Sequence, residues 1–388
     1  MSRIQQVWVT SWTDWQLWPT TDLCDWSAVH GKRWHNHYER EGQPPLDFDC
    51  RYYDPYSAYI QVQEGLPRGH KEREPRFINN VACVPTEKVQ RRMAADLEAL
   101  ARDGCKVVWW DHAIQCFPLV AARMRELFPL TLLNFADDMP GSSELKTFPS
   151  ARYFDVLMHS MFLWDFTSGR SVPDVYREQG LGDCRFIPVG PSQSVGASMR
   201  DNPAEGEARF ATKLDALGAG ACPLGLVYVG NIGSAPWRSS FVGSLNHYAR
   251  ELDAHGIVTR LHGTAMRDGR WAGDVATLYA QAAMGVNAQE SSIFNQRLFD
   301  LWLCGVVQLV HDPHGELARF GFRDGEHFIA FDGTATNLLT TVERWIGRRA
   351  DLVAMAIAAR TACLDFLAAR TWARAYGDVF FDYAERLR

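Results

Sequence analysis

The sequence lacks any CxxC pair and any N-terminal segment in which basic residues precede an apolar run. Its nine cysteines are scattered and odd in number, which argues against both a disulfide framework and a zinc ribbon. We find no window with the roughly 18 apolar residues that a membrane helix needs. We therefore expect reduced thiols, no membrane span and a cytoplasmic location.

The chain also lacks an excess of basic residues. Its formal net charge is −6, which gives no support to broad electrostatic binding of nucleic acid or anionic membrane. The most basic strip, "RGHKEREPR" at residues 68–76, is interrupted by acidic residues and is typical of a solvated loop. A local basic groove that tracks a DNA backbone remains as the alternative for this strip.

With 388 residues, 47% of them apolar, the chain is longer than one hydrophobic core usually organises. From about residue 78, short β-rich runs such as "KVVWWD" alternate with helical patterns, and the alternation restarts at "LGLVYVG" after a segment rich in Gly, Pro and Ser. We predict an α/β protein with a first domain at 1–205, a linker at 206–221, a second domain at 222–349 and C-terminal helices at 350–388.

Neither GxGxxG nor GxxxxGK[ST] occurs, so no standard dinucleotide or Walker loop is indicated. The turn "VGNIGSAPWRSS" nevertheless follows a strand and opens a helix, where backbone N–H groups can cradle phosphate. Its candidates for a phosphate site are Gly230, Asn231, Gly233 and Arg238. The strand end "RLHG" adds His262 and Gly263 at the edge where open α/β sheets bind ligands.

Two charges interrupt the apolar helix predicted in "NQRLFDLWLCG". Asn295 is a good N-cap, while Arg297 and Asp300 share one polar strip. An arginine in the first turn adds to the positive end of the helix dipole, which a nearby anion would compensate. The helix by itself leaves two readings open, an ion pair of Arg297 with Asp300 or with an acid elsewhere, or a phosphate ligand at Arg297.

The order of these motifs, followed by "ELARFGFRDGEHFIAF", resembles the C-terminal half of CgeB-like glycosyltransferases of the group-1 family. The resemblance covers residues 224 to about 346, and its matching positions are Asn295, Arg297, Phe299, Gly305, Phe320, Gly325 and Glu326. It implies a GT-B fold: two Rossmann-like domains that face a central cleft, with C-terminal helices packing back on the N-terminal domain.

The resemblance further implies that the second domain binds a nucleotide-diphosphate sugar and the first binds the acceptor. Gly230, Asn231 and Gly233 would approach the diphosphate, Arg238 and Arg297 would neutralise it, and residues 287–290, including Asn287 and Glu290, would border the sugar. Asp300 stands where the family has a glutamate that contacts the ribose or the departing nucleotide. The family's upstream glutamate is replaced by Ser292, so the role of a glutamate pair is not transferred.

We expect no cofactor beyond the nucleotide sugar, favour UDP, and expect no metal, because the DxD in "DFDCRYYD" lies in what reads as an aromatic, turn-rich region. For an inverting reaction, the candidates for the base are Asp111, His112, Asp137 and Asp138, at strand ends of the first domain. The acceptor, the stereochemistry and the oligomeric state stay open. The alternatives are transfer to a modified base in DNA and an inactive nucleotide-sugar-binding protein.

Overall fold

The structure is a computed structural model of the chain. The structure describes residues 3–9, 34–53, 86–111, 118–135, 150–159, 164–165, 170–171, 174, 177–178, 180–188, 190–192, 195–196, 202–230, 236–263, 266–269, 271, 273–288, 293–370 and 372–387. The chain divides into two compact units. The first unit contains Met1–Pro188 and Arg370–Arg388, and the second contains Val189–Ala369.

The described strands are β1 (Ile4–Val9), β2 (Trp34–Tyr38), β3 (Leu46–Tyr53), β4 (Cys105–Asp111), β5 (Leu130–Phe135), β6 (Val156–His159), β7 (Trp164–Asp165), β8 (Arg170–Ser171), β9 (Asp183–Phe186), β10 (Leu224–Val229), β11 (Thr259–His262), β12 (Ala282–Ala288), β13 (Val307–His311) and β14 (Ile329–Ala330). The described helices are α1 (Glu87–Arg102), α2 (Pro118–Leu127), α3 (Pro203–Ala219), α4 (Pro236–Ala254), α5 (Val275–Ala280), α6 (Gln296–Leu303), α7 (Glu316–Arg319), α8 (Ala335–Ile346), α9 (Arg349–Ala369), α10 (Trp372–Asp382) and α11 (Ala384–Leu387).

The first unit is built on a sheet of order β2-β3-β1-β4-β5-β6-β9. All neighbours in it are parallel except the antiparallel pair β2–β3. Helices α1 and α2 bury Met93, Leu97 and Met124 in the hydrophobic cluster that includes Val108 and Trp110 of β4. The alternation of strands and helices predicted from residue 78 onward is confirmed in this unit.

The reading of "DFDCRYYD" as a turn-rich region was wrong. Residues 47–53 of that string lie within the eight-residue strand β3, because Leu46, Phe48 and Cys50 alternate with Asp47 and Asp49 at the period of two that a half-buried strand requires. The three apolar side chains are buried, while the aspartates face outward. The aromatic and charged content of the segment masked this alternation.

The C-terminal helices α10 and α11 pack in the first unit, whereas α9, which the sequence grouped with them in residues 350–388, packs in the second unit. Tyr376 and Phe380 of α10 join the buried cluster of Trp8, Phe48 and Trp109, and the rings of Trp109 and Tyr376 lie 3.9 Å apart. Trp8 and Trp109, from adjacent strands, stack at 4.8 Å. Aromatic pairs of this kind contribute beyond their buried area, so the tryptophans of this cluster serve packing.

The second unit is a five-stranded parallel sheet of order β11-β10-β12-β13-β14. Its central strand, β12, is buried at every position, as expected of a parallel strand covered on both faces. Side chains from α4, α8 and α9 cover one cluster, which includes Leu245, Leu338 and Met355. Leu301 of α6 and Leu278 of α5 belong to a second cluster. A Rossmann-like unit follows from this arrangement, in agreement with the predicted α/β class.

Most of the segment that the sequence suggested as a linker is helix α3. Asn202 caps the helix by accepting a hydrogen bond from the Glu205 amide, and a proline occupies its first turn. Lys213 is buried and donates to the carbonyl of Ala280 at 3.2 Å, and burial lowers the pKa of its amine. The helix is therefore tied into the second unit.

The cap of α3 provides a stability probe for the second unit. We expect Asn202→Ala to lower the free energy of unfolding of this unit by about 1 kcal/mol, because the Glu205 amide loses its acceptor. Chemical denaturation followed by circular dichroism measures the change. Asn202→Ser, which keeps a side-chain oxygen acceptor for the Glu205 amide, is the control and is expected to retain most of the stability; equal losses in both variants would contradict the capping role.

The segment Arg349–Asp382 is long and apolar enough to cross a membrane by length and composition alone. Core helices pass the same test, and within this segment α9 buries Leu352, Met355, Cys363 and Phe366 in the second unit. The segment is therefore weak evidence for a membrane span.

Candidate functional site

The candidate site lies at the carboxyl edge of the second sheet, where β10 and β11 end. The amide of Gly230, directly after β10, donates to the carbonyl of His262 at 2.9 Å. Gly263 has φ +149°, and a Cβ there would overlap the Gly230 carbonyl oxygen. Only glycine fits this approach of the two strand ends, so both predicted glycines are held against each other at the sheet edge.

Helix α6 begins beside these turns. The side chain of Asn295 accepts from the Leu298 amide at 3.1 Å, which makes it the predicted N-cap. Its Nδ2 donates to Oδ1 of Asn287, the penultimate residue of β12, at 3.0 Å. Asn287 in turn donates to the carbonyl of Ile293 at 3.5 Å. The two buried asparagines thus fix the start of α6 to the end of β12.

Arg297, in the first turn of α6, carries a guanidinium with unsatisfied donors. Its Nε and Nη1 are buried and have no hydrogen-bond partner among the described residues. The guanidinium carbon lies 4.8 Å from the centre of the Tyr228 ring, and a Cβ on Gly230 would lie 2.6 Å from Nη2. The arginine is thus held between an aromatic ring and a glycine turn, with donors left for another group.

His262 likewise has polar atoms without hydrogen-bond partners in the described structure. Both ring nitrogens are buried and have no hydrogen-bond partner within the described part of the chain. The ring packs against Trp271, with 5.0 Å between ring centres. Buried polar atoms of native proteins normally have partners. Two unsatisfied side chains at one sheet edge therefore indicate a site for a polar ligand.

Asp300 does not pair with Arg297. Its Oδ1 accepts from the backbone amide of Ser192 at 2.7 Å, and the carboxyl is fully buried. Burial raises the pKa of this carboxyl to about 7, an effect that the Ser192 bond and Arg297 partly oppose. Within the described residues Arg297 thus forms no ion pair with Asp300, and the ribose contact implied for Asp300 stays a prediction.

Sequence reasoning missed three residues of this region. Tyr228 is the last inward-facing residue of β10, and its aromatic ring with a polar tip at a strand end was an available signal. Glu316 is buried and accepts from the Ile293 amide at 3.0 Å, which holds the chain just before α6. Ser192 donates to Asp300 from its backbone amide, and its position 108 residues before Asp300 gave no local signal.

Several predicted site residues fall outside the described part of the chain. These are Asn231, Gly233, Glu290, His112, Asp137 and Asp138. Asp111 ends β4 and Arg238 lies in α4, but the structure describes the side chain of neither. The roles assigned to these residues from the sequence remain predictions.

Residues 241–377 match the sequence profile of a family described as glycosyl transferase-like. The matched segment begins in α4 and includes the buried asparagines, Arg297 and Asp300. No curated protein sequence matches the chain. The profile agrees with the group-1 level of the resemblance, and the narrower CgeB-like assignment stays a prediction.

Solved structures resemble the whole chain. An alpha,alpha-trehalose 6-phosphate synthase from Burkholderia multivorans is 12% identical, covers 99% of this chain and 98% of its own, and superposes with a TM-score of 0.53. A UDP-forming synthase from Burkholderia xenovorans is 11% identical, covers 100% of this chain and 99% of its own, and has a TM-score of 0.55. The N-terminal domain of a Candida albicans trehalose-6-phosphate phosphatase is 10% identical, covers 100% of this chain and 97% of its own, and has a TM-score of 0.55.

At these identities the likenesses establish the fold alone, which is GT-B. The reaction class rests on the profile match, whose residues include His262, Arg297 and Asp300 of the candidate site. The chain matches the glycosyl transferase-like family over residues 241–377 and is an enzyme of the glycosyltransferase class.

Proposed function

We propose that this enzyme transfers a sugar from a nucleotide-diphosphate sugar to a hydroxyl acceptor without a metal ion, and that Arg297 binds the diphosphate of the donor. The observation that carries this proposal is the pair of buried guanidinium nitrogens that lack a partner among the described residues. An unsatisfied buried donor costs about 1–3 kcal/mol, and more when the group is charged. A ligand oxygen that accepts from these donors removes that cost.

A diphosphate fits the donors better than a neutral ligand does. Guanidinium binds phosphate oxygens through two parallel hydrogen bonds, and its charge is compensated by the anion. Gly230, which has no Cβ, leaves room for the Arg297 guanidinium at the end of β10, and the first amides of α6 have no acceptors within the helix. Charge, donor geometry and helix polarity thus favour the same ligand.

In the proposed reaction, the acceptor oxygen bonds to the anomeric carbon of the sugar. The bond from that carbon to the diphosphate oxygen breaks, and its electron pair leaves with the nucleotide. Arg297 and the N-terminus of α6 stabilise the charge that develops on this leaving group, which is the task a divalent metal performs in other enzymes. The hydroxyl proton passes to a base or to the departing phosphate; the candidates for a base remain Asp111, His112, Asp137 and Asp138.

We favour UDP as the nucleotide and a CgeB-like enzyme as the subtype. The UDP-forming synthase with the same fold supports the nucleotide by analogy, and the motif order from Asn295 to Glu326 supports the subtype. A cytoplasmic location is part of the same proposal. Acceptor choice depends on pocket shape, which the motifs do not encode.

Thermal-shift screening against UDP-, GDP-, TDP- and ADP-linked sugars tests the donor. We expect UDP-sugars to raise the melting temperature most, since only a ligand of the folded state stabilises it. Release of UDP in the presence of hydroxyl acceptors then tests transfer. A donor that binds but is neither hydrolysed nor transferred would favour the inactive binding protein, and salt-sensitive retention on duplex DNA would favour a DNA acceptor.

Replacing Tyr228 is expected to weaken donor binding at the same site less than replacing Arg297. We expect Tyr228→Leu to weaken UDP-sugar binding by about 3- to 10-fold, because the guanidinium loses the ring that positions it, an interaction of about 0.5–1 kcal/mol or more. Tyr228→Phe keeps the ring and is expected to bind like the parent enzyme. Calorimetric titration measures both, and equal losses in the two variants would assign the effect to the hydroxyl.

A further inference from the structure

The D-x-D motif of β3 has an unexpected setting in the structure. In the antiparallel pair of β2 and β3, His35 lies opposite Asp49 and His37 lies opposite Asp47. Alternate residues of a strand share a face, so the two histidines and the two aspartates project together. All four side chains are part-exposed, with exposed fractions between 33% and 45%. This polar face of the first unit therefore gathers imidazoles and carboxylates that an ion in solution can reach.

Three of these side chains converge. One ligand atom each of His35, His37 and Asp47 lies within 4.8 Å of the others. The Nε2 atom of His35 is 3.4 Å from Oδ1 of Asp47, and Nδ1 of His37 is 2.7 Å from the same oxygen. Tetrahedral zinc with bonds of about 2.05 Å separates its ligand atoms by about 3.3 Å. The 3.4 Å between His35 and Asp47 already matches this separation, and the other two distances between ligand atoms need to change by about 1 Å.

The outer nitrogens of both rings face further carboxylates. Nε2 of His37 is 2.9 Å from Oε1 of Glu39, and Nδ1 of His35 is 3.7 Å from Oδ1 of Asp49. A carboxylate behind a histidine fixes which ring nitrogen carries the proton and leaves the other for a metal. Each ring thus has one nitrogen directed at Asp47 and the other at its own acid.

A proton is the competitor of any metal at this face. The hydrogen bond to Asp47 and, to a smaller extent, the one to Glu39 raise the pKa of His37. The guanidinium of Arg3 lies 3.5 Å from Asp49. Plain histidine–carboxylate ion pairs would need only one acid for each ring. Here three acids serve two rings, and Asp47 contacts both of them.

We propose that His35, His37 and Asp47 bind one divalent transition-metal ion of the zinc class, which joins edge strand β2 to β3. Two imidazoles and one carboxylate suit such an ion, whereas Mg²⁺ and Ca²⁺ prefer all-oxygen sites. Water completes the coordination. The site belongs to the first unit and is separate from the metal-free donor chemistry proposed for the second.

The test titrates the full chain, stripped with chelator and free of a histidine tag, with Co²⁺ and Zn²⁺ at pH 7.5. We expect one ion per chain, with the visible absorption of Co²⁺ in a nitrogen- and oxygen-ligated site. His37→Ala and Asp47→Asn are expected to weaken binding at least 100-fold. Glu39→Gln, which removes only the acid behind His37, is expected to weaken it about 10- to 100-fold.

His247→Ala is the matched control, because His247 is also exposed and faces one acid, Glu251, at 3.5 Å. This variant is expected to bind Zn²⁺ like the parent protein. Circular dichroism of each variant confirms that it is folded. The proposal is overturned if Zn²⁺ does not saturate a site, if a folded His35→Ala/His37→Ala variant binds as tightly as the parent, or if Mg²⁺ binds as tightly as Zn²⁺.

Discussion

Replacing Arg297 by alanine is expected to reduce kcat/KM for the nucleotide sugar by at least about 100-fold, while the protein stays folded. The loss follows because two charge-assisted hydrogen bonds to phosphate, each worth about 1.5–3 kcal/mol, disappear together. The fold should survive because Nε and Nη1 make no hydrogen bond in the described structure that the substitution could break. Steady-state release of UDP and the melting temperature of the free enzyme measure the two halves of this prediction.

Two further variants separate the guanidinium from its charge. Arg297→Lys keeps a cation but loses the planar fork, and we expect it to recover only part of the activity. Arg250→Ala removes an exposed arginine of α4 in the same unit and is expected to behave like the parent. An Arg297→Ala enzyme with parental kinetics would remove this residue from the site.

Asp300→Asn is expected to stabilise the second unit at neutral and basic pH. The folded carboxyl has its pKa raised from 3.8 to about 7, so the folded state holds a proton that the unfolded state has already lost. Stability therefore falls as pH rises from about 4 to about 7 and stays at the lower level above it. Asparagine removes this dependence and still accepts from the Ser192 amide.

The size of the effect follows from the shift. About three pKa units, at about 1.4 kcal/mol each, give a difference between variant and parent that grows by about 4 kcal/mol from pH 4 to pH 8. Urea denaturation at several pH values measures it, and the transition that responds to Asn202→Ala identifies the second unit. Asp351→Asn, on the exposed start of α9, controls for the loss of one carboxyl. Parallel curves for the parent and Asp300→Asn would contradict the assignment.

Much of the fold was legible in the sequence because its patterns are local. The periodicity of "QRLFDLWL" and the cap at Asn295 predicted α6, and "LGLVYVG" predicted β10. Strand β3 was missed because aromatic and charged residues are interleaved in it, although Leu46, Phe48 and Cys50 alternate as a strand requires. Its neighbour β2 is joined to it by cross-strand pairing, which no local sequence pattern predicts.

The candidate site, like the fold, was predictable from the sequence only where local motifs mark it. Arg297, Gly230 and His262 were found from motifs at strand and helix ends, where backbone geometry concentrates ligand contacts. The bond from Ser192 to Asp300 joins residues 108 positions apart through a backbone amide, and only the folded chain reveals it. Likewise, the histidines opposite the D-x-D motif came from the pairing of β2 with β3.

Calorimetric titration of the parent and Arg297→Ala with UDP and with uridine tests most directly whether this arginine binds the diphosphate. We expect Arg297→Ala to lose at least about 100-fold in affinity for UDP, or about 3 kcal/mol, while uridine, which has no phosphate, binds both proteins equally. Unchanged affinity for UDP, or an equal loss for uridine, would contradict the claim that Arg297 is the diphosphate ligand.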